Sequence, residues 1–120
     1  MNQQELENRL LNFSVKVVQL TKKMPGNSAS VNLVNQIVRS ATAPSLIYGE
    51  ACAAESRQDF IHKIGMALKE LRETNMCLRL ILMHQYTTGS TVNDLLNEND
   101  QLIRILAKSI ITAKRNRLKP

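Results

Sequence analysis

Apolar residues recur along the first part of the chain at alternating spacings of four and three. These residues are Leu6, Leu10, Phe13, Val17, Leu20 and Met24. The spacing places one continuous apolar stripe along a helix. Pro25 disfavours helical geometry at Met24, and Gly26 allows the left-handed turn that ends a helix. The pattern therefore predicts a first helix over residues 4–24.

A second apolar stripe predicts a helix over residues 29–52. Its members are Val31, Val34, Val38, Ala41, Ser45 and Tyr48. Ser28 or Ser30 can cap the start of this helix, because a serine hydroxyl accepts a hydrogen bond from an amide of the first turn. Pro44 falls inside the helix and removes one backbone hydrogen bond, so we expect a kink or a local break there.

Two further helices each begin at a hydroxyl residue that is followed three residues later by an acid. Ser56 with Asp59 and Thr91 with Asp94 predict helices over residues 57–85 and 92–116. The stripe of the third helix is Phe60, Ile64, Ala67, Leu71, Thr74, Leu78 and Ile81. The stripe of the fourth is Val92, Leu95, Asn99, Leu102, Leu106, Ile110 and Ala113. Four amphipathic helices with short connections predict an all-α fold, a single-domain antiparallel up-and-down four-helix bundle over residues 1–120.

The apolar residues exceed what one bundle core needs. Near its end the third helix is apolar on nearly every side, and we expect this part to be buried all round. The residues concerned are Met76, Cys77, Leu78, Leu80, Ile81, Leu82 and Met83. The fourth helix adds Ile103, Ile105 and Ile111 beside its stripe. Such a surface usually marks a protein interface, so we expect a homo-oligomer.

Composition narrows the class of protein and its compartment. With 43% apolar, 22% charged and only 3% aromatic residues, it favours helices over a β-sandwich or a disordered chain. The longest apolar run, residues 76–83, is interrupted by Arg79 and is too short to cross a membrane. Residues 1–5 lack the basic and then apolar pattern of a secretory signal, so the expected location is cytoplasmic.

No catalytic or metal-binding motif stands out. Cys52 and Cys77 lack the paired spacing of a zinc or redox site, and we expect both to be buried free thiols. Asp59 and His62 are one helical turn apart, but His84 lacks the partner acid that a di-metal bundle needs. The chain also lacks a nucleophile elbow and a phosphate-cradling glycine loop. These observations predict a non-enzymatic protein with no catalytic residue, no metal and no cofactor.

Positive charge is concentrated near the C-terminus. The chain has 16 Lys and Arg against 10 Asp and Glu, a net charge of +6, and residues 1–103 hold ten of each kind. A basic stripe on a terminal helix attracts polyanions, since Lys and Arg displace counterions from a phosphate backbone. Such residues also complement the dipole of a helix end and keep a protein soluble. The candidate nucleic-acid contacts are Arg104, Lys108, Lys114, Arg115 and Arg117.

Five segments resemble the four-helix-bundle family named after proteins encoded in 23S rRNA intervening sequences. They are Gln36–Thr42, Tyr48–Ala51, Ala54–Ser56, Asp59–Lys63 and Ala67–Thr74, within a resemblance that covers residues 10–112. The resemblance implies an antiparallel four-helix bundle that assembles into a homopentamer. Relatives of similar fold include the accessory protein of diversity-generating retroelements, a basic pentamer that binds nucleic acid and a reverse transcriptase.

Polar residues of the second helix belong to the motif that carries this resemblance. They are Arg39, Ser40, Tyr48 and Glu50. Arg39 and Glu50 would be costly to leave unpaired beneath an interface, and ion pairing within the chain is their alternative role. The chain departs from the family at Ile47, where the family has an asparagine.

Two function hypotheses follow. In the first, the chain is a homo-oligomer, expected to be a pentamer, whose basic fourth helices bind RNA or DNA backbones. Several copies of a weak patch then act together on one ligand. In the second, the chain is a scaffold that recruits another protein through its apolar surface, or through Arg39 and Glu50, and binds no nucleic acid.

Overall fold

The computed structural model describes residues 1–117, with side chains up to Asn116, and this part of the chain forms four α-helices and no strand. The helices are α1 (Gln3–Thr21), α2 (Ser28–Cys52), α3 (Arg57–His84) and α4 (Gly89–Arg117). Arg39 of α2 pairs with Glu73, whereas Glu50, further along α2, pairs with the earlier residue Lys63 of α3, so these helices are antiparallel. Each helix packs on the preceding one, and α1 also contacts α4. The predicted all-α class is confirmed. Within residues 1–117, no helix combines the length and hydropathy needed to cross a membrane.

The core stripe of α1 is the predicted one. Leu6, Leu10, Phe13, Val17 and Leu20 are all buried. The helix ends at Thr21 instead of the predicted residue 24. The next amides bond to carbonyls three residues earlier, which tightens the chain into a turn before the proline.

The face of α2 that enters the core differs from the prediction in the first half of the helix, whereas Ala41 and Tyr48 of the predicted stripe are buried. Val31 is 46% exposed, and Val34 and Val38 are only half-buried. Leu33 and Ile37 occupy the core instead. They lie on a second stripe of helical spacing, which leads into the small residues in the middle of the helix, so spacing alone did not distinguish the two faces.

Side-chain caps fix the starts of α2 and α3. Asn27 accepts a hydrogen bond from the amide of Ser30 at 2.9 Å, so the predicted serine cap of α2 is wrong. Asparagine caps as well as serine does, and it stands one residue before the helix. Ser56 accepts from the amide of Asp59 at 3.0 Å, which confirms the predicted cap of α3.

The start of α4 lies three residues before the predicted one. The helix begins at Gly89, so Thr91 lies inside the first turn and the predicted cap at this threonine is wrong. The amide of Val92 bonds to the carbonyl of Thr88, which already belongs to the helical pattern.

Pro44 does not interrupt α2, so the predicted local break is wrong. A proline at this position leaves the carbonyl of Ser40 without its helical amide partner. The hydroxyl of Ser14, on α1, lies 2.8 Å from the carbonyl of Ala41. A polar contact from the neighbouring helix therefore supports the turn that precedes Pro44.

The end of α3 is not buried all round as predicted. Met76, Leu80 and Met83 are 56%, 46% and 79% exposed, whereas Leu78 and Ile81 are buried. Only α2 and α4 pack against α3 within residues 1–117, so its outward face remains open to solvent. We call Met76, Leu80 and Met83 the apolar stripe of α3.

Candidate nucleic-acid interface

The C-terminal part of α4 extends beyond the first helix. The guanidinium of Arg9 contacts the carboxylate of Glu98 at 2.6 Å. Lys16, further along α1, lines a cleft with the earlier residue Asp94 of α4, so the two helices run in opposite directions. Gln3, the first residue of α1, therefore lies near the level of Arg104. The helix continues to Arg117. Its last turns therefore have no covering from α1.

Three of the predicted contacts share the outward face of α4. Arg104, Lys108 and Arg115 are spaced by four and seven residues, which returns each to the same side of a helix. All three are exposed, while Leu102 and Leu106 on the opposite side are fully buried. At 1.5 Å per residue the three cations extend over about 16 Å of the helix. We call them the basic stripe.

One member of the basic stripe has an acidic neighbour. Arg104 Nη2 lies 3.0 Å from Asp100 Oδ2, one turn earlier on α4. Both side chains are exposed, so the pair contributes only a few tenths of a kcal/mol and competes weakly with another anion. Lys108 and Arg115 form no ion pair with the side chains up to Asn116. Within the basic stripe, the unneutralised positive charge thus lies after Arg104.

The other two predicted contacts lie elsewhere. Lys114 points away from the basic stripe and lines a cleft beside α3, together with Arg57, Gln58 and Ile61. The side chain of Arg117 lies outside the described residues. The sequence did not indicate Arg57 as a contact, because it belongs to residues 1–103, in which basic and acidic residues are equal in number.

Arg39 and Glu50 join α2 to α3 through ion pairs. The guanidinium of Arg39 lies 3.1 Å from Glu70 and also contacts Glu73. These acids raise the pKa of Arg39, with the hydrogen bond to Glu73 as the largest cause. Glu50 lies 3.7 Å from Lys63. Both residues therefore have the alternative role considered from the sequence, ion pairing within the chain.

Ser40 and Tyr48 are buried. The hydroxyl of Ser40 hydrogen-bonds with that of Thr74 across the α2–α3 contact, at 2.9 Å. Tyr48 packs in the core with 6% of its surface exposed. Neither side chain is accessible to a second molecule without a change in the bundle.

Stability should fall in alkaline solution because of two buried groups. Burial raises the pKa of the Tyr48 hydroxyl and of the Cys77 thiol. The native state therefore keeps these protons to higher pH than the unfolded chain does. The ordinary pKa is 10.0 for the tyrosine and 9.0 for the cysteine. Their contribution to stability is complete below these values and is lost as pH rises above them. We expect the urea midpoint to fall above about pH 9, and to fall less in Tyr48→Phe. Tyr86→Phe is the matched control, and an equal effect of both variants would contradict the assignment to Tyr48.

The thiols and histidines form no evident chemical centre. Both thiols are free as predicted, and Cys77 is buried, but Cys52 is only half-buried, which corrects the prediction for that residue. Asp59 is half-buried and His62 is exposed at the start of α3. In residues 1–117, no three His, Cys, Asp or Glu side chains gather closely enough to hold a metal ion.

Comparisons with known proteins give the family. The family model described as 23S rRNA-intervening sequence protein matches residues 3–108. A crystal structure from Bacteroides thetaiotaomicron VPI-5482, of a protein with unknown function from the S23 ribosomal protein family, is 31% identical to this chain. The match covers 88% of this chain and 97% of the other, with a TM-score of 0.81. No curated protein matches the sequence. The chain belongs to the family of 23S rRNA-intervening sequence proteins.

Proposed function

We propose that the chain is a cytoplasmic, non-enzymatic homo-oligomer that binds the phosphate backbone of RNA or DNA through the basic stripe of α4. The observation that carries this proposal is the alignment of Arg104, Lys108 and Arg115 on one exposed helix face. Contacts to phosphates need positive charge at a suitable spacing and carry no direct sequence information. Ile111, between these cations, is exposed but offers no aromatic ring for base stacking. Binding should therefore depend weakly on base sequence.

The length of the basic stripe suits a strand of nucleic acid. Its span of about 16 Å corresponds to the axial rise of roughly five nucleotides of one strand in a duplex, at 3.4 Å each. Three cations on such a span can contact phosphates of the same strand. These three side chains are exposed, so a strand can approach them along the outer side of α4.

Exposed apolar side chains support assembly of several copies. Leu11 and Val15 of α1 are about half exposed, in addition to the apolar stripe of α3. The resemblance to the family leads us to propose five copies. Light scattering should give a mass near five times 13.5 kDa. A mass of one chain at micromolar concentration would contradict the oligomer.

A direct binding titration tests the nucleic-acid part of the proposal. Fluorescein-labelled single-stranded RNA and duplex DNA are titrated with the protein at low salt, and fluorescence anisotropy is followed. We expect saturable binding to both, with similar affinities for strands of different base sequence. Unchanged anisotropy with both ligands would reject backbone binding.

The apolar stripe of α3 favours a second candidate function, recruitment of another protein without nucleic acid. The two candidates differ in their response to nuclease. In a pull-down from cell extract, a co-purifying protein that stays bound after nuclease treatment supports the scaffold. Loss of all co-purifying proteins after nuclease treatment supports nucleic-acid binding.

A further inference from the structure

We propose that the cleft between the start of α3 and the end of α4 is a second phosphate-binding site, which continues the basic stripe onto α3. The cleft has a volume of 300 Å³ and is lined by Arg57, Gln58, Ile61 and Lys114. The inference rests on the proposed function, since its ligand is the same nucleic-acid backbone. It adds Arg57 and Gln58, which the sequence did not indicate.

The register of the two helices brings the cations together. The side-chain amide of Asn99 donates a hydrogen bond to the carbonyl of Leu71 at 2.9 Å, which fixes α4 against α3. Arg57 lies fourteen residues before Leu71, and Ala113 lies fourteen residues after Asn99. In antiparallel helices these positions lie at the same level. Arg57 therefore faces the turn of α4 that carries Lys114.

Two side chains that line the cleft carry the positive charge needed to bind a phosphate. Arg57 and Lys114 are exposed and, among the side chains up to Asn116, neither forms an ion pair. A guanidinium can bind two phosphate oxygens at once, and an ammonium adds a point charge. The amide of Gln58 can supply a neutral donor. An anion between the two cations would also relieve their mutual repulsion.

A second cleft, at the other end of the bundle, has a lining that suits a phosphate less well. It is lined by two lysines, Lys16 and Lys23, but Asp94 lies in the same lining. That carboxylate offsets part of the positive charge and repels a phosphate. No carboxylate lines the cleft at Arg57, where the nearest acids in sequence, Glu55 and Asp59, lie outside the lining.

The cleft suits a continuous nucleic-acid backbone better than a separate phosphate ion. Lys114 immediately precedes Arg115, the last member of the basic stripe. A strand that leaves the stripe at Arg115 therefore reaches the cleft by turning about 100° around α4 to Lys114. Contacts at both places then act on one ligand and strengthen each other.

Charge-removing variants test the cleft. Arg57→Gln and Lys114→Gln are each expected to weaken binding of labelled single-stranded RNA about fivefold at 0.1 M salt, because one phosphate contact releases about 0.7 counterion. The double variant should lose less than the product of the two effects, since both side chains hold the same phosphate. Lys69→Gln removes an exposed charge from the middle of α3 and should bind as the wild type does. Thermal unfolding followed by circular dichroism checks that all variants keep the fold.

The outcomes separate this inference from the proposed function. Wild-type affinity in Arg57→Gln, together with weakened binding in a Lys108→Gln and Arg115→Gln double variant, would overturn the cleft site and leave the basic stripe in place. Wild-type affinity in both would reject the proposed function and the cleft with it. Binding of inorganic phosphate to the wild type that is lost in Arg57→Gln, with no effect of phosphate at constant ionic strength on RNA affinity, would assign the cleft to free phosphate and overturn the backbone site.

Discussion

Replacing both Lys108 and Arg115 with glutamate should lower the affinity for single-stranded RNA by at least about 25-fold at 0.1 M salt. Two lost phosphate contacts account for this factor, because each releases about 0.7 counterion to the solvent. The two new carboxylates also repel the backbone, which increases the loss further. Both side chains are exposed and unpaired with the side chains up to Asn116, so the folded state should lose little stability. Fluorescence anisotropy measures the affinity.

The matched control changes the same amount of charge at the other end of the bundle. Lys16→Glu and Lys23→Glu together also reverse two exposed cations. The net charge then falls equally in the two double variants. We expect the control to lose much less affinity, because only α4 carries the basic stripe. Equal losses would show that net charge matters and the position of the stripe does not.

Leu10→Ala should destabilise the bundle strongly, and Leu11→Ala should not. Leu10 is 1% exposed in the core stripe of α1, whereas its neighbour Leu11 is 51% exposed. Truncating a buried leucine costs about 2–5 kcal/mol, out of roughly 5–15 kcal/mol for a domain. The urea midpoint should therefore fall by roughly 1–3 M in Leu10→Ala. For Leu11→Ala we expect a change within about 0.5 kcal/mol in the separate chain, measured at a protein concentration too low for assembly.

These two variants contain the same chemical change at adjacent positions, so helix propensity cancels in the comparison. Both are unfolded at one protein concentration, because the stability of an oligomer depends on concentration. A larger loss in Leu11→Ala than in Leu10→Ala would mean that α1 packs through its other face. Such a result would contradict the core described above.

The sequence predicts the buried face correctly for a helix that has only one apolar stripe. In α1 the spacing around Phe13 has no competitor, and the predicted core face is the observed one. In α2 the valines compete with Leu33 and Ile37, and periodicity does not choose between two stripes on the same helix. The continuity of α2 through Pro44 could not be predicted for a different reason. The contact from Ser14 that supports the turn before it joins residues that are distant in sequence.

The candidate site was predictable to a similar extent. The spacing of Lys108 and Arg115 is visible in the sequence, and so is the lack of acids after Asp100. The exposure of Met83 was not predictable, since it depends on how many helices pack around α3. Arg57 was missed because its position beside Lys114 follows from the register of two helices.

The salt dependence of RNA binding tests the central claim most directly. The association constant of the wild-type protein for single-stranded RNA is measured by anisotropy between about 50 and 200 mM salt. Three contacts from the basic stripe predict a slope of about −2 or steeper when its logarithm is plotted against the logarithm of the salt concentration. A slope near zero, or no binding at the lowest salt concentration, would contradict backbone binding through α4.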